Sequence, residues 1–196
     1  MSCSRDEKSI LLAIALDSIR HGLEHGAPAR LNAGDYSTRL SAQRASFVTL
    51  NHGEDLRGCI GTLEACTSLI ESVADNAWAA AFRDPRFAAL TAAEVGNLSI
   101  QVSVLGPLQP VTVTSEQELL TRMVPGEAGW VMQEEAQRGT FLPAVWASLG
   151  EPAEFLRHLK IKAGLSTDYW SDTLEIWRYT TESFSASVAE IVTRSG

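Results

Sequence analysis

The chain lacks the cysteine pattern of a disulfide scaffold. Its 196 residues hold three cysteines, Cys3, Cys59 and Cys66, and an odd count with no apolar leader ahead of it sets the expectation of a reducing cytoplasm. It also lacks any run of Lys and Arg. Sixteen basic residues stand against 24 acidic ones, for a net charge of −8, so neither nucleic acid nor an anionic membrane is expected as a partner. No apolar stretch approaches the roughly 18 residues that a membrane span requires. The Walker loop, G-x-G-x-x-G, G-x-S-x-G and H-E-x-x-H are all missing, which removes the nucleotide-dependent and hydrolase readings recognisable by motif. His52, Cys59 and Cys66 are spread too widely for the tight ligand pairs of zinc sites, so no metal and no cofactor are expected. There is no internal repeat and no low-complexity linker.

Apolar residues make up 45% of the chain and charged residues 20%, enough for a sizeable core in one domain, or in one domain with a small appended lobe. Ser4 with Glu7, and Ser68 with Glu71, are capping boxes. The first opens a helix to about residue 25, with Ile10, Leu12, Ile14, Leu16, Ile19 and Leu23 as its apolar stripe. The second opens a core helix that ends before Asp84-Pro85, because a residue preceding proline avoids the helical region. Residues 26–43 read as loop, 45–50 and 56–63 as strands around the turn at 51–55, and 98–104 as an alternating, half-buried strand. Ser115 caps a short helix, residues 130–133 and 140–142 form hairpin arms, and Pro152 and Gly164 frame a helix through residue 162. Residues 174–180 read as the last strand. Hairpin signals outnumber βαβ signals, so the fold class is α+β with a mainly antiparallel sheet flanked by helices.

The segment that concentrates chemistry is Leu56-Arg57-Gly58-Cys59-Ile60-Gly61. Its glycines permit either positive φ or close backbone approach, which reads as a tight turn carrying a thiol beside a fixed positive charge. Arg57 and Cys59 project to one face if the backbone is extended. They form a nucleophile with its activating charge, a ligand-gripping pair, or a structural cysteine in a glycine-lined bend. His52 is the base nearest in sequence, or a solvated loop histidine. In Phe82-Arg83-Asp84-Pro85-Arg86-Phe87, Arg83, Asp84 and Arg86 make either an anion clamp or an Arg–Asp network that fixes the turn. Arg138 and Thr140, in Arg138-Gly139-Thr140-Phe141-Leu142-Pro143, enter a strand from a second glycine-bracketed arginine, as a further substrate contact or as a hairpin turn. Among the tryptophans, Trp170 sits in a polar stretch and is the one expected to line a pocket.

These motifs, with Phe47-Val48-Thr49-Leu50, the strand at 100–105, Pro125-Gly126-Glu127-Ala128-Gly129 and Lys162-Ala163-Gly164-Leu165, together resemble the AMMECR domain family in order and spacing over about residues 5–185. The segment at 125–129 departs from the usual family form, which has Val-Asp between its glycines. The resemblance implies a larger and a smaller lobe, the smaller within about 106–150, followed by a tail at 186–196. It also implies similarity to the A component of AmmeMemoRadiSam systems, whose partners would be a Memo-like protein and a radical SAM protein. The expected function is a small-molecule binding or catalytic site around the Arg-Gly-Cys motif. The alternative is a non-catalytic module that binds those two partners.

Overall fold

Helices begin where the sequence pairs a hydroxyl with a glutamate three residues on. In the computed structural model, which describes residues 2–195, Ser4 Oγ accepts from the Glu7 N–H while the Glu7 carboxylate accepts from the Ser4 N–H, opening α1 (Arg5–His25). A single turn, α2 (Thr38–Ser41), interrupts the segment expected to be loop. Then follow β1 (Ser46–His52), β2 (Asp55–Gly61), α3 (Leu69–Phe82), the one-turn α4 (Ala92–Val95) and β3 (Leu98–Leu105). The chain continues through β4 (Gln109–Pro110), α5 (Glu116–Arg122), β5 (Gly129–Glu134), β6 (Gln137–Phe141), α6 (Trp146–Leu149), α7 (Pro152–Lys162) and β7 (Glu175–Tyr179). It closes with β8 (Thr181–Ser187) and α8 (Val188–Ser195). Helices and two antiparallel sheets make the fold α+β.

The chain divides into two units, the first running to Leu105 and resuming at Glu182, the second spanning Gly106–Thr181. In the first, four strands lie in the order β2-β1-β3-β8, with α1 and α3 packed on one another and on one face of the sheet. Strand alternation sets that face: Ser46, Val48 and Leu50 of β1 are fully buried, while Phe47 and Thr49 are half-buried on the other. Buried polar groups fix how α3 sits. Asn76 Nδ2 donates to the Ser46 carbonyl at 3.0 Å and to Ser46 Oγ at 3.2 Å, and the Ser46 and Ser72 hydroxyls lie 2.8 Å apart. Ser18 Oγ of α1 donates to the Ala74 carbonyl of α3 at 2.7 Å.

Two expectations are corrected in this unit. Residues 174–180 are not the last strand, and 186–196 are not simply a tail: β8 adds a fourth strand beside β3, and α8 packs on α1 with Val188 and Ile191 in the core. On α1, Ile10 is 38% exposed while Leu11 is fully buried. The inner line of that helix is Leu11, Ala15, Ser18 and Gly22, the i, i+4, i+7 spacing of one helical face, and Ile10 flanks it.

The second unit holds a sheet in the order β4-β7-β5-β6, covered by α7, against which α5 and α6 pack. Trp130, Met132, Phe155, Leu159 and Ile176 form its core, with the Trp146 ring stacked on Phe155 at 3.8 Å and Trp170 packed against the same cluster. Lys160 is fully buried, and its ammonium donates to Glu116 Oε2 at 2.8 Å and to the Thr167 carbonyl at 3.0 Å. This unit extends past the 106–150 expected of a smaller lobe, because β7 lies between β4 and β5 and α7 supplies Phe155, Leu156 and Leu159 to the core. No helix among the described residues is long and apolar enough to cross a membrane.

Replacing Asn76 by Ala would leave the Ser46 carbonyl and hydroxyl without their amide donor. It should lower the unfolding free energy by about 2 kcal/mol. The urea midpoint should fall at constant slope; a loss under about 0.5 kcal/mol would show that this network does not hold α3 on the sheet.

Candidate functional site

The glycines of the Arg-Gly-Cys segment make no turn. β2 runs extended through Gly61, and neither Gly58 nor Gly61 has positive φ. They serve close approach instead: a Cβ at Gly58 would lie 2.1 Å from the Ala80 carbonyl oxygen of α3, and one at Gly61 would lie 2.2 Å from the Phe47 ring. Position 58 therefore faces α3, and Arg57 and Cys59 project from the opposite, outer face. In the β1–β2 ladder Cys59 pairs with Thr49, whose hydroxyl donates to the sulfur at 3.2 Å. Across β1, Thr49 pairs with Gln101 and Phe47 with Ser103, and Ser103 meets Ser183 of β8 at 2.8 Å. The outer face thus carries a ring, a thiol, a carboxamide and several hydroxyls. Cys59 is half-buried, Cys3 buried and Cys66 exposed.

β2 is an edge strand, and the segment after α3 closes its free side. Asp84 Oδ2 accepts the Cys59 N–H at 2.9 Å, and Arg86 Nη2 donates to the Cys59 carbonyl at 3.4 Å. The two side chains are joined as a fork: Arg86 Nε to Asp84 Oδ1 at 2.9 Å and Nη2 to Oδ2 at 2.7 Å, with the Arg86 N–H on Oδ1 at 3.1 Å. The Asp84 side chain is only 2% exposed, and the Arg86 guanidinium, with these backbone donors, holds its carboxyl well below the usual carboxylate range. Arg57 does the same work one step along. Its Nε donates to Glu94 Oε1 at 2.7 Å and its Nη2 to the Ala88 carbonyl at 2.9 Å. Glu94 also caps α4 through the Thr91 N–H and hydroxyl, and Arg57 and Thr91 bring its carboxyl down to about 2. The Phe87 ring lies under both guanidinium groups, 5.9 Å from Arg57 and 5.4 Å from Arg86.

The structure therefore gathers Cys59, Arg57, Asp84 and Arg86, and shows the arginines bound to carboxylates and backbone carbonyls. His52 is not among them. It ends β1 opposite Asp55, three residues beyond Thr49, about 10 Å along a strand. Arg83 places its guanidinium 5.2 Å from the Trp78 ring centroid instead. Arg138 and Thr140 belong to β6 of the second unit, where the Thr140 hydroxyl meets the Trp130 carbonyl at 3.0 Å and Tyr179 Oη at 2.9 Å, and burial pushes the Tyr179 phenol up to about 12. Among the described residues no three His, Cys, Asp or Glu side chains converge as a ligand set for a metal. Sequence reasoning missed Thr49 and Glu94. A cross-strand partner cannot be read before the register is known, but Thr91-x-x-Glu94 is a capping signature visible in the chain.

Asp84→Asn keeps an acceptor for the Cys59 N–H and removes the charge that pairs with Arg86. At pH 7 the variant should be less stable by about 2 kcal/mol. Because folding depresses the Asp84 pKa below its ordinary 3.8, its contribution is complete above that value and is lost as pH falls beneath it. The gap between the two proteins in urea titrations should therefore begin to narrow below about pH 4 and go on narrowing toward the depressed native pKa, well below about pH 3. A gap that does not narrow at all between about pH 5 and pH 2 would show that the ion pair stabilises nothing.

A family model described as AMMECR1 matches residues 12–184. A protein of Methanopyrus kandleri is 33% identical over 190 residues, covering 94% of this chain and 91% of that protein. One of Methanocaldococcus jannaschii is 35% identical over 153 residues, 76% of each. A crystal structure of an uncharacterized protein from Pyrococcus horikoshii superposes with a TM-score of 0.82 at 29% identity, covering 90% of both chains.

Proposed function

The chain belongs to the AMMECR1 family, and we propose that the outer face of its β1–β2–β3 ladder binds a small molecule, with the Cys59 sulfur as the atom that contacts it. The observation that carries this reading is the setting of Cys59. A half-buried thiol stands on a strand whose backbone is held by Asp84 and Arg86 on one side and by β1 on the other. A site needs that kind of fixed geometry. The Thr49 hydroxyl points at the sulfur, and the half-buried Phe47 and Gln101 extend the face. The set suits binding a small polar molecule against the sulfur. It is poorly suited to general acid–base work, because the nearest histidine in sequence lies at the far end of β1. In this reading Arg57, Asp84 and Arg86 are positioning residues. The Memo-like and radical SAM proteins implied by the family resemblance would be the partners that supply or use the ligand.

Site-resolved alkylation with iodoacetamide, in a Cys66→Ser background, tests this. Cys59 should be modified in the folded protein while buried Cys3 is spared, without loss of the folded state. After incubation with filtered cell extract, native mass spectrometry should show a small-molecule mass on the unmodified protein and none on protein alkylated at Cys59. A Cys59 that stays inert until unfolding, or a bound mass indifferent to its alkylation, would overturn the reading.

A further inference from the structure

The second unit contains a cavity of about 490 Å³ lined by Pro110, Val111, Thr112, Arg122, Trp130 and Arg178. Its polar lining is made of donors. Trp130 and Arg178 stand directly opposite one another in the β5–β7 ladder, and Gln109 stands opposite Arg178 on its other side, so the three share one face of the sheet at one level. Arg178 is exposed and donates from Nε to Gln109 Oε1 at 3.3 Å, a neutral partner that leaves the charge and the outer N–H groups uncompensated. Arg122, from the end of α5, ion-pairs with Glu118. That carboxylate is shared, since its other oxygen accepts the Thr114 N–H at 2.9 Å and the Thr114 hydroxyl at 3.0 Å. Among the described residues no carboxylate lines the cavity itself.

Trp130 supplies the ring that walls the cavity, and so a reporter for it. It is 2% exposed, and its indole N–H is buried without a hydrogen-bond partner. Such a group is costly to leave unsatisfied. The same unit satisfies its other deeply buried indole, where Trp146 Nε1 donates to the Ala128 carbonyl at 2.9 Å. A cavity walled by Pro110, Val111 and an indole ring, with two guanidinium groups and a hydroxyl, is complementary to one kind of ligand. We propose that this cavity binds an organic oxyanion: a small apolar body carrying a carboxylate or phosphate head group, seated on Arg178 and Arg122. Guanidinium forks match both head groups in two-point geometry, and the volume falls within the range of small-molecule sites. The site is separate from the Cys59 face and does not depend on the reading given for it. It also places a cationic pocket in a chain whose net charge is −8.

The test uses the full chain, labelled with ¹⁵N, and follows the tryptophan indole N–H resonances during titration with phenyl phosphate, with benzoate, and with phenol as the neutral counterpart. Phenyl phosphate or benzoate should shift the Trp130 resonance in a saturable way. Whichever binds more tightly identifies the head group, and phenol should leave the resonance in place. Assignment comes from Trp130→Phe, and if that variant does not fold, from backbone-linked spectra of the wild type. Arg178→Gln and Arg122→Gln alter exposed side chains and leave the core untouched. Each should weaken binding about tenfold, as loss of a charge-assisted contact predicts. No saturable shift with either anion, equal shifts with phenol, or unchanged affinity in both arginine variants would overturn the proposal.

Discussion

A strand at the edge of a sheet exposes a row of N–H and C=O groups that must meet water, another chain or some other part of the protein. In the first unit β2 is one of two such strands, and it carries Cys59. The Asp84 carboxylate takes the Cys59 N–H, and Arg86, locked to Asp84, donates to the Cys59 carbonyl. One acid and one base thus stand where a neighbouring strand would. The burial of Asp84 makes this more than a surface ion pair: at 2% exposure its charge is tolerable only because its oxygens receive two backbone N–H groups and a two-point guanidinium contact. The path of the chain from Asp84 to Glu94 follows from this anchor, with Arg57 binding the Ala88 carbonyl and the Glu94 carboxylate farther along the edge.

The anchor in turn requires α3 to lie very near the sheet, since Asp84 follows the end of that helix within two residues. Gly58 permits the approach, with no room for a Cβ against the Ala80 carbonyl. On the other strand of the hairpin, Ser46 receives the Asn76 amide of α3. Sheet and helix are therefore joined at both ends of their contact by groups whose geometry is specific, whereas Val48, Val73 and Ala77 between them supply non-directional burial. The position of the Cys59 sulfur is set by all three of these contacts, which explains why a motif of six residues draws on side chains more than 20 positions away.

The elements that announce themselves in the sequence are those governed by local chemistry. α7 spans Pro152–Lys162, bounded by a proline in its first turn and a left-handed glycine after it, and α1 and α3 begin at their capping boxes. β8 gave little signal because it is a half-exposed strand in which Phe184 and Ala186 are the apolar residues. Its identity comes from pairing beside β3, which is a non-local fact. α8 was legible after all: Ser187 and Glu190 exchange the same reciprocal bonds as the other capping boxes, and Val188 and Ile191 keep helical spacing. The bend expected at Gly58 and Gly61 proved to be extended strand, because glycine in a strand admits either a turn or a close neighbour, and only the packing of α3 decides. Asp84 and Arg86 bond each other locally, but the bonds that bring the segment after α3 onto β2 run across 25 to 37 residues, a separation that no local pattern encodes.

Those bonds also change how the arginines of this chain are to be understood. A cluster of arginines beside a cysteine suggests a grip for an anionic ligand. Here Arg57 and Arg86 each lie 2.7 Å from a carboxylate oxygen, and moving Arg86 onto a ligand would strand the buried Asp84 charge. In an acidic chain, proximity of basic residues to a motif is weak guidance, since carboxylates are abundant enough to claim them. The useful distinction is the nature of the partner already present. A guanidinium on a buried carboxylate positions the fold, as at Cys59. One held by a neutral amide, as Arg178 is by Gln109, keeps its charge available, and its neighbour Trp130 keeps an unpartnered N–H. On the two readings proposed above, the Arg-Gly-Cys strand would present a fixed sulfur and the second unit the charge, two tasks that the sequence alone would assign to one place.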